Sequence, residues 1–264
     1  MTKKKLIYIS IIFLLLIILI IVSITTFFKL TSKSYNEHVF SHRGASGEEI
    51  EHTLAAYDLA IMYGSKYIEP DVVTSKDNTL FISHDPSAKK ITGHDQLYKD
   101  MTDKEIKRLT TENGESILSL DELFSHYGKS VNYVVELKEN DNQVELFKEV
   151  VDKHNIDSNV IVQASTVSAL EKINIYYPSM KKLLLVGTVE QIESNLNNPA
   201  VDIFGMYKPL MTEDNITQIH NHNKKANVWT LNNSKEIIEA INLNVDSYFT
   251  NFTGKALLLE KKYR

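Results

Sequence analysis

The chain has 264 residues, of which 43% are apolar and 24% are charged, and its formal net charge at pH 7 is −5. This composition is ordinary for a globular protein with a substantial core, and the length fits one large domain. The chain contains no cysteine, which excludes disulfides, thiolate metal sites and cysteine nucleophiles.

The amino-terminal segment differs in composition from the rest of the chain. Lys3, Lys4 and Lys5 precede residues 6–28, which are nearly all Ile, Leu, Val and Phe. As a helix, residues 6–28 would extend roughly 34 Å, enough to cross a hydrocarbon core of about 30 Å. They predict an uncleaved transmembrane signal anchor over residues 1–30. The alternative, a cleaved signal peptide, usually has a shorter apolar region and a small-residue cleavage site. The lysines predict a cytoplasmic amino terminus and a single-pass cell-membrane protein whose remainder faces the extracellular side.

Residues 31–37 are predicted to form a polar linker, and residues 38–264 a single domain. Residues 31–264 carry 25 basic and 34 acidic side chains, because four of the 29 basic residues and none of the acidic ones precede them. A domain this acidic does not hold nucleic acid by bulk electrostatics, so we expect no nucleic-acid partner. A phosphate ligand would need a local positive charge.

Strand-like and helix-like runs alternate along residues 38–264. The predicted strands are residues 38–41, 67–73, 132–137, 160–163, 183–186, 201–206, 226–231 and 247–250, with a further apolar run at 80–83. The predicted helices are residues 54–63, 120–127, 143–154, 167–176, 189–196, 212–223, 234–241 and 254–262. About eight strand–helix units favour a parallel sheet with helices outside it, either a closed barrel or an open doubly wound sheet. Residues 84–119 are predicted to be an irregular loop over the site with few core residues.

Residues able to carry out chemistry follow four predicted strands. They are His42 and Arg43, Glu69 and Asp71, His84 and Asp85, and Glu136 and Lys138. Glu69 and Asp71 share one face of a strand, roughly 6–7 Å apart, and would repel each other strongly unless a cation neutralised them. Each motif alone has an ordinary structural explanation, but together at one end of successive strands they indicate a single site.

The order of these motifs resembles that of the glycerophosphodiester phosphodiesterase family, in which His-Arg is followed by Glu-x-Asp and then by His. Further similarities lie in residues 51–53, 229–232 and 245–250, so the resemblance spans roughly residues 38–255. It implies an α/β fold with a (β/α)8 TIM barrel, a divalent metal, and hydrolysis of a glycerophosphodiester to an alcohol and sn-glycerol 3-phosphate. His52 departs from the family, in which many members have Asn.

The residue types support the same chemistry. Glu69, Asp71 and Glu136 are the candidate metal ligands, because oxygen ligands without sulfur suit Mg²⁺ or Ca²⁺. Arg43 and Lys138 are the candidate phosphate-binding residues.

Aromatic and imidazole side chains complete the predicted site. His42 and His84 are the candidate general acid–base pair, with Asp85 placed to orient an imidazole. Trp229 is predicted to be a pocket wall that stacks on the glycerol or headgroup rather than plain core. Glu51 is either a supporting residue or part of the helix entry. The first nucleophile is either water or a hydroxyl of the substrate.

Two other functions are consistent with the sequence. A lysophospholipase D-like or sphingomyelinase D-like enzyme would use the same site on membrane lipids, and tethering favours it, but the loops show no apolar rim for an acyl chain. A catalytically silent binding domain would need a missing imidazole or carboxylate, and none is missing.

Overall fold

The computed structural model describes residues 35–264, together with residue 17. Tyr35–Arg264 form one compact unit. Apart from residue 17, the predicted anchor over residues 1–30 lies outside the described residues, as does the first part of the predicted linker. Its last part is a 3-10 turn, Tyr35–Glu37. In the described part of the chain, no helix combines the length and the apolar character needed to cross a membrane.

The strands of the described residues are short and mostly buried. They are β1 (Val39–His42), β2 (Tyr67–Glu69), β3 (Asp71–Thr74), β4 (Leu80–Ile82), β5 (Asn132–Leu137), β6 (Val160–Ala164), β7 (Lys181–Val186), β8 (Ile203–Tyr207), β9 (Lys225–Trp229) and β10 (Ser247–Thr250).

Helices connect these strands. The α-helices are α1 (Leu54–Met62), α2 (Lys89–Thr92), α3 (Asp103–Ile106), α4 (Leu120–Tyr127), α5 (Val144–His154), α6 (Val167–Tyr176), α7 (Val189–Asn195), α8 (Glu213–Asn221), α9 (Ser234–Asn242) and α10 (Thr253–Tyr263). Several begin at a side-chain cap, as at Thr53, whose hydroxyl accepts a 3.2 Å hydrogen bond from the backbone N–H of Ala56.

The parallel strands close into a barrel. Neighbouring strands pair in the order β2-β1-β10-β9-β8-β7-β6-β5, and β2 also pairs with β5. Because β3 continues the course of β2 and pairs in parallel with β5, the closed sheet has eight positions. The predicted (β/α)8 barrel is therefore confirmed, and the open doubly wound alternative is wrong.

One predicted strand is divided, and another does not belong to the barrel. Pro70 separates β2 from β3, as expected of a residue that cannot donate to a sheet ladder. β4 pairs antiparallel with β3, so the expectation that His84 ends a barrel strand is wrong. β3 and β4 form a hairpin that brings the chain back to the barrel, where the N–H of Ser83 donates to the carbonyl of Asp71 at 3.0 Å.

Residues 84–119 contain a small core of their own, contrary to the prediction. Its buried apolar side chains are Ala88, Ile91, Tyr98, Met101, Ile106 and Ile117, which pack with Val73 and Phe81 of the hairpin. The β3–β4 hairpin provides the second layer that this segment needs in order to bury apolar surface. The segment is thus an ordered subdomain beside the barrel rather than an irregular loop.

The barrel interior is filled beneath the site. Phe40, Val134, Leu183, Ile203 and Phe249 form an apolar cluster, in which the rings of Phe40 and Phe249 meet edge to face at 5.3 Å. These side chains make the interior a packed core rather than a pore, so polar chemistry is confined to the strand ends.

Candidate active site

Strand register brings three carboxylates together. His42 is paired with Glu69 across β1 and β2, and Asp71 with Glu136 across β3 and β5. Glu69, Asp71 and Glu136 each offer one oxygen within 4.8 Å of the others. Glu69 and Asp71 are each only 1% exposed. The three predicted metal ligands therefore lie together, and Pro70 separates Glu69 from Asp71 along the chain.

Without a cation, the three carboxyl groups change one another's pKa. Burial, followed by the charge of Asp71, raises the pKa of Glu69 well above its usual value and that of Glu136 to about 7. Burial has the same tendency at Asp71, but a hydrogen bond from His52 and the nearby Lys138 and Arg43 charges outweigh it and lower the Asp71 pKa.

The carboxylate cluster fits a hard cation. Oδ1 of Asp71 is buried and has no hydrogen-bond partner among the described residues; the nearest cationic atom, Nζ of Lys138, lies 3.7 Å away. Two ionised carboxylates buried side by side are costly unless a positive charge lies between them. Three carboxylate donors without sulfur match the preference of Mg²⁺ or Ca²⁺.

Two cationic side chains border the carboxylates. The Arg43 Nε atom lies 3.3 Å from Asp71 Oδ2, and the Lys138 Nζ atom 2.7 Å from Glu136 Oε1. Arg43 has a left-handed backbone (φ 57°), and its N–H donates to Oε2 of Glu69 at 2.9 Å. Both cations remain partly exposed to the pocket, at 13% and 23%, and can therefore meet an anionic group.

His42 and His84 face the same pocket, and each is held through Nδ1. Nδ1 of His42 donates to Oδ1 of Asn251 at 2.7 Å, and Nδ1 of His84 donates to Oδ1 of Asp85 at 2.7 Å. In the described part of the chain, Nε2 of neither ring has a hydrogen-bond partner, so it is available for proton transfer. Burial, followed by the Arg43 charge, lowers the pKa of His42 to about 4.

The pocket is small and has one apolar wall. Its volume is about 220 Å³, and Leu185, Trp229 and Phe249 contribute the apolar part of its lining. Trp229 Nε1 donates to the carbonyl of Gly205 at 2.9 Å, which fixes the indole. Trp229 also packs against the barrel's inner cluster, so it belongs both to the pocket wall and to the core.

Two further polar residues hold the charged side chains of the site, Glu51 from behind Arg43 and Gln163 from the pocket lining. Glu51 accepts from Arg43 at 3.2 Å and pairs with Lys90 of the inserted segment at 2.7 Å, so it supports the phosphate-binding candidate. Gln163 Nε2 donates to Glu136 Oε2 at 2.7 Å.

Sequence reasoning missed two contacts. Asn251 directly follows β10, so the strand-end rule applied to Glu69 could have found it. His52 donates from Nε2 to Asp71 at 3.0 Å, and its Nδ1 lies 2.9 Å from the Tyr57 hydroxyl. The only sequence signal for the contact between His52 and Asp71 was that many members of the family have Asn where this chain has His52. The remaining histidines lie outside this pocket, and His154 and His220, for example, pair with Asp121 and Asp246.

Comparison with known proteins agrees with this geometry. Residues 42–255 match the family model of the Glycerophosphoryl diester phosphodiesterase family. The glycerophosphodiester phosphodiesterase of Bacillus altitudinis is 26% identical over 242 residues, covering 86% of this chain and 99% of that protein. The crystal structure of the glycerophosphodiester phosphodiesterase from Thermotoga maritima matches with a TM-score of 0.72 and 26% identity, covering 84% of this chain and 97% of that one.

A third similar protein has been solved with a ligand. The Oleispira antarctica phosphodiesterase, in complex with the product sn-glycerol-3-phosphate, matches with a TM-score of 0.78 and 23% identity, covering 85% of this chain and 96% of that one. This likeness shows a shared fold. Because the family match spans most of the barrel and includes the histidine, carboxylate and cationic residues of the pocket, the chain belongs to the glycerophosphoryl diester phosphodiesterase family and is a phosphoric diester hydrolase.

Proposed function

We propose that this protein is a metal-dependent phosphodiesterase that hydrolyses glycerophosphodiesters to an alcohol and sn-glycerol 3-phosphate by two-histidine acid–base catalysis. The observation that carries the proposal is the convergence of Glu69, Asp71 and Glu136 within 4.8 Å, beside a pocket lined by both histidines. An acidic chain needs a local positive charge to bind an anionic ester, and a cation held by this cluster would provide one.

Glu69, Asp71 and Glu136 would hold a divalent cation, Mg²⁺ or Ca²⁺. When bound, the cation supplies Lewis-acid neutralisation of charge on the phosphate. Arg43 binds and orients the phosphate through its guanidinium, which suits bidentate contact with two oxygens. Lys138 adds a point charge from the neighbouring strand, on the same side as Glu136.

The different surroundings of the two histidines support different tasks for them. His42 is held by a neutral amide and has a pKa of about 4, so it is neutral near pH 7 and accepts a proton from the attacking hydroxyl. That hydroxyl belongs to water or to the glycerol itself. His84 is held at Nδ1 by the Asp85 carboxylate, which orients the ring, so we assign to His84 the protonation of the leaving alkoxide.

The size of the pocket favours a small polar ester. Its volume of about 220 Å³ lies below the roughly 300–1,000 Å³ of sites that enclose drug-sized ligands. Trp229 and Phe249 offer an apolar wall to the glycerol carbons. A deacylated headgroup or a glycerol-phosphate polymer suits this space better than a lysophospholipid, which stays the second candidate substrate because of the proposed tether.

We also propose a location for the protein, based on its amino-terminal sequence. We place residues 1–30 as a single-pass membrane anchor and residues 31–37 as a linker, with the catalytic domain over residues 38–264 on the extracellular side. The basic residues before an apolar segment of bilayer length support this arrangement.

An activity assay tests the proposal. The purified full chain is incubated with glycerophosphocholine, glycerophosphoglycerol or lysophosphatidylcholine, with and without EDTA, and glycerol 3-phosphate is measured. We expect cation-dependent release from the first two substrates and near-complete loss in His42→Ala and His84→Ala. His94→Ala is the matched control, because that exposed histidine lies outside the pocket. Undiminished activity in EDTA, or in His84→Ala, would contradict the mechanism.

A further inference from the structure

The outer surface formed by α1 and α10 carries large apolar side chains in contact with solvent. Leu258, in the middle of α10, is 71% exposed, and Tyr63, directly after α1, is 39% exposed. Tyr63 and Phe252 join Leu258 around a shallow hollow between the two helices. Residues 63, 252, 255, 258 and 261–262 are called the α1–α10 face below. Grouped exposed apolar side chains of this kind mark interaction surfaces in soluble domains.

The apolar residues of this face are bordered by lysines. Lys255, Lys261 and Lys262 are exposed on α10, and Lys255 and Lys262, seven residues apart, lie on the same side of the helix as Leu258. Glu48 is the acidic side chain that lines the hollow, and it accepts a hydrogen bond from the Tyr63 hydroxyl at 2.7 Å. In a domain with a large excess of acidic residues, this local basic border favours an anionic partner.

The described chain begins beside this same face. The side-chain amide of Asn36 donates to the carbonyl of Gly64 at 3.1 Å, and Gly64 directly follows Tyr63 of the face. The apolar segment ends at Phe28, so residues 29–34 separate it from Tyr35. Fully extended, six residues span at most about 22 Å. The described domain is therefore joined to the apolar segment by a short stretch of chain that enters it next to the α1–α10 face.

We infer that the α1–α10 face rests on the surface of an anionic lipid bilayer, and this inference depends on the membrane anchor proposed above. Leu258 and Tyr63 would enter the boundary between headgroups and acyl chains, while the lysines contact anionic headgroups. The short linker raises the effective concentration of the face at the bilayer, so weak contacts are sufficient. The barrel would then keep its α1–α10 face toward the membrane.

The absence of cysteine makes a direct test possible. Leu258→Cys in the full chain carries an environment-sensitive fluorophore, and Ile175→Cys is the matched control, because Ile175 is 76% exposed on α6 across the barrel. Each labelled chain is reconstituted in vesicles of phosphatidylcholine alone or of an equal mixture of phosphatidylcholine and phosphatidylglycerol. Quenching by brominated lipids reports contact with the bilayer. We expect quenching at position 258 to be at least about twofold stronger than at 175 in the mixed vesicles.

Two further measurements identify the partner. Lys261→Gln with Lys262→Gln should reduce quenching at position 258 in mixed vesicles, because each lysine near an anionic surface contributes about fivefold to binding. Hydrolysis of glycerophosphocholine by this variant should be unchanged, which separates failure of this inference from failure of the proposed activity. The inference is overturned if the chains do not float with the vesicles, if positions 258 and 175 are quenched equally, or if phosphatidylglycerol has no effect. It is also overturned if the shielding of the fluorophore at position 258 increases with the density of protein in the vesicles and does not depend on the lipid, because that result would indicate self-association.

Discussion

The imidazole of His52 links Asp71 to the helix that follows the first barrel strand. Its Nε2 atom lies 3.0 Å from Asp71 Oδ2, and its Nδ1 atom lies 2.9 Å from the Tyr57 hydroxyl on α1. Burial lowers the pKa of His52, so the ring is neutral. Because a carboxylate only accepts hydrogen bonds, Nε2 carries the proton and Nδ1 accepts from Tyr57. This arrangement leaves Oδ1 of Asp71 available to a cation.

We therefore predict that His52 orients a metal ligand. His52→Ala should weaken Mg²⁺ binding by about 10-fold or more, the usual effect of losing a residue that holds a ligand. His52→Asn should retain most of the affinity, because its amide can donate to Asp71 and asparagine tolerates the left-handed backbone at φ 64°. Titration calorimetry of the cation-free protein measures both variants. Equal losses in the two variants would show that His52 acts only by filling space.

Cation binding should depend on pH. The pKa of Glu136 is raised to about 7 by burial and then by Asp71, and that of Glu69 is raised by the same causes. Below these values protons compete with the cation for the carboxylates, so affinity for Mg²⁺ should rise as pH increases toward about 7. Glu136→Gln should bind more weakly and with less pH dependence. Calorimetric titrations between pH 5.5 and 8 test this, and a constant affinity would contradict it.

The same raised pKa makes a prediction about stability. A carboxyl whose folded-state pKa lies above its unfolded value contributes stability at low pH and loses that contribution as pH rises through about 7. Without a cation, the contribution of Glu136 to the melting temperature should therefore decrease as pH rises from about 4.5 to about 7. Added Mg²⁺ should raise the melting temperature more at pH 8 than at pH 5. Differential scanning calorimetry on the protein with and without EDTA checks the sign.

The partner of His42 should set the acidic limb of the activity profile. Asn251 is neutral, and burial, followed by Arg43, keeps the pKa of His42 at about 4, so the base stays unprotonated in mildly acidic solution. Asn251→Asp would place a negative charge against Nδ1 and raise that pKa. The acidic limb of kcat/KM should then move to higher pH, whereas Asn251→Ala should lower kcat without moving the limb upward. An unshifted limb in Asn251→Asp would argue against His42 as the base.

Gly205 is predicted to be essential to the pocket wall. A Cβ at this position would lie 2.5 Å from Cδ2 of the buried Leu183, and the Gly205 carbonyl accepts the hydrogen bond from Trp229. Gly205→Ala should cost about 1–3 kcal/mol of stability through overpacking. Gly187→Ala is the control, since its Cβ would meet only Gln191 at 3.8 Å. Urea unfolding of both variants gives the comparison.

Much of the fold was predictable because its signals are local. Residues 167–176 and 247–250 form a helix and a strand with the predicted bounds, and Thr53 caps α1 as expected. The alternation of strands and helices left two topologies open, because periodicity reports which face is buried and not which strands pair first and last. Residues 84–119 were misjudged because their apolar residues pack on a hairpin that periodicity alone does not reveal.

The amino-acid sequence by itself determined the alternation of elements and the chemical inventory of the site, since carboxylates and histidines near strand ends are local properties of the chain. Tertiary structure alone decided how they meet. Barrel closure pairs β1 with β10 and so places Asn251 against His42, 209 residues away. The β3–β4 hairpin returns His84 to the pocket although its strand lies outside the barrel. These contacts depend on the closure and register of the sheet, which long-range packing selects and no local pattern encodes.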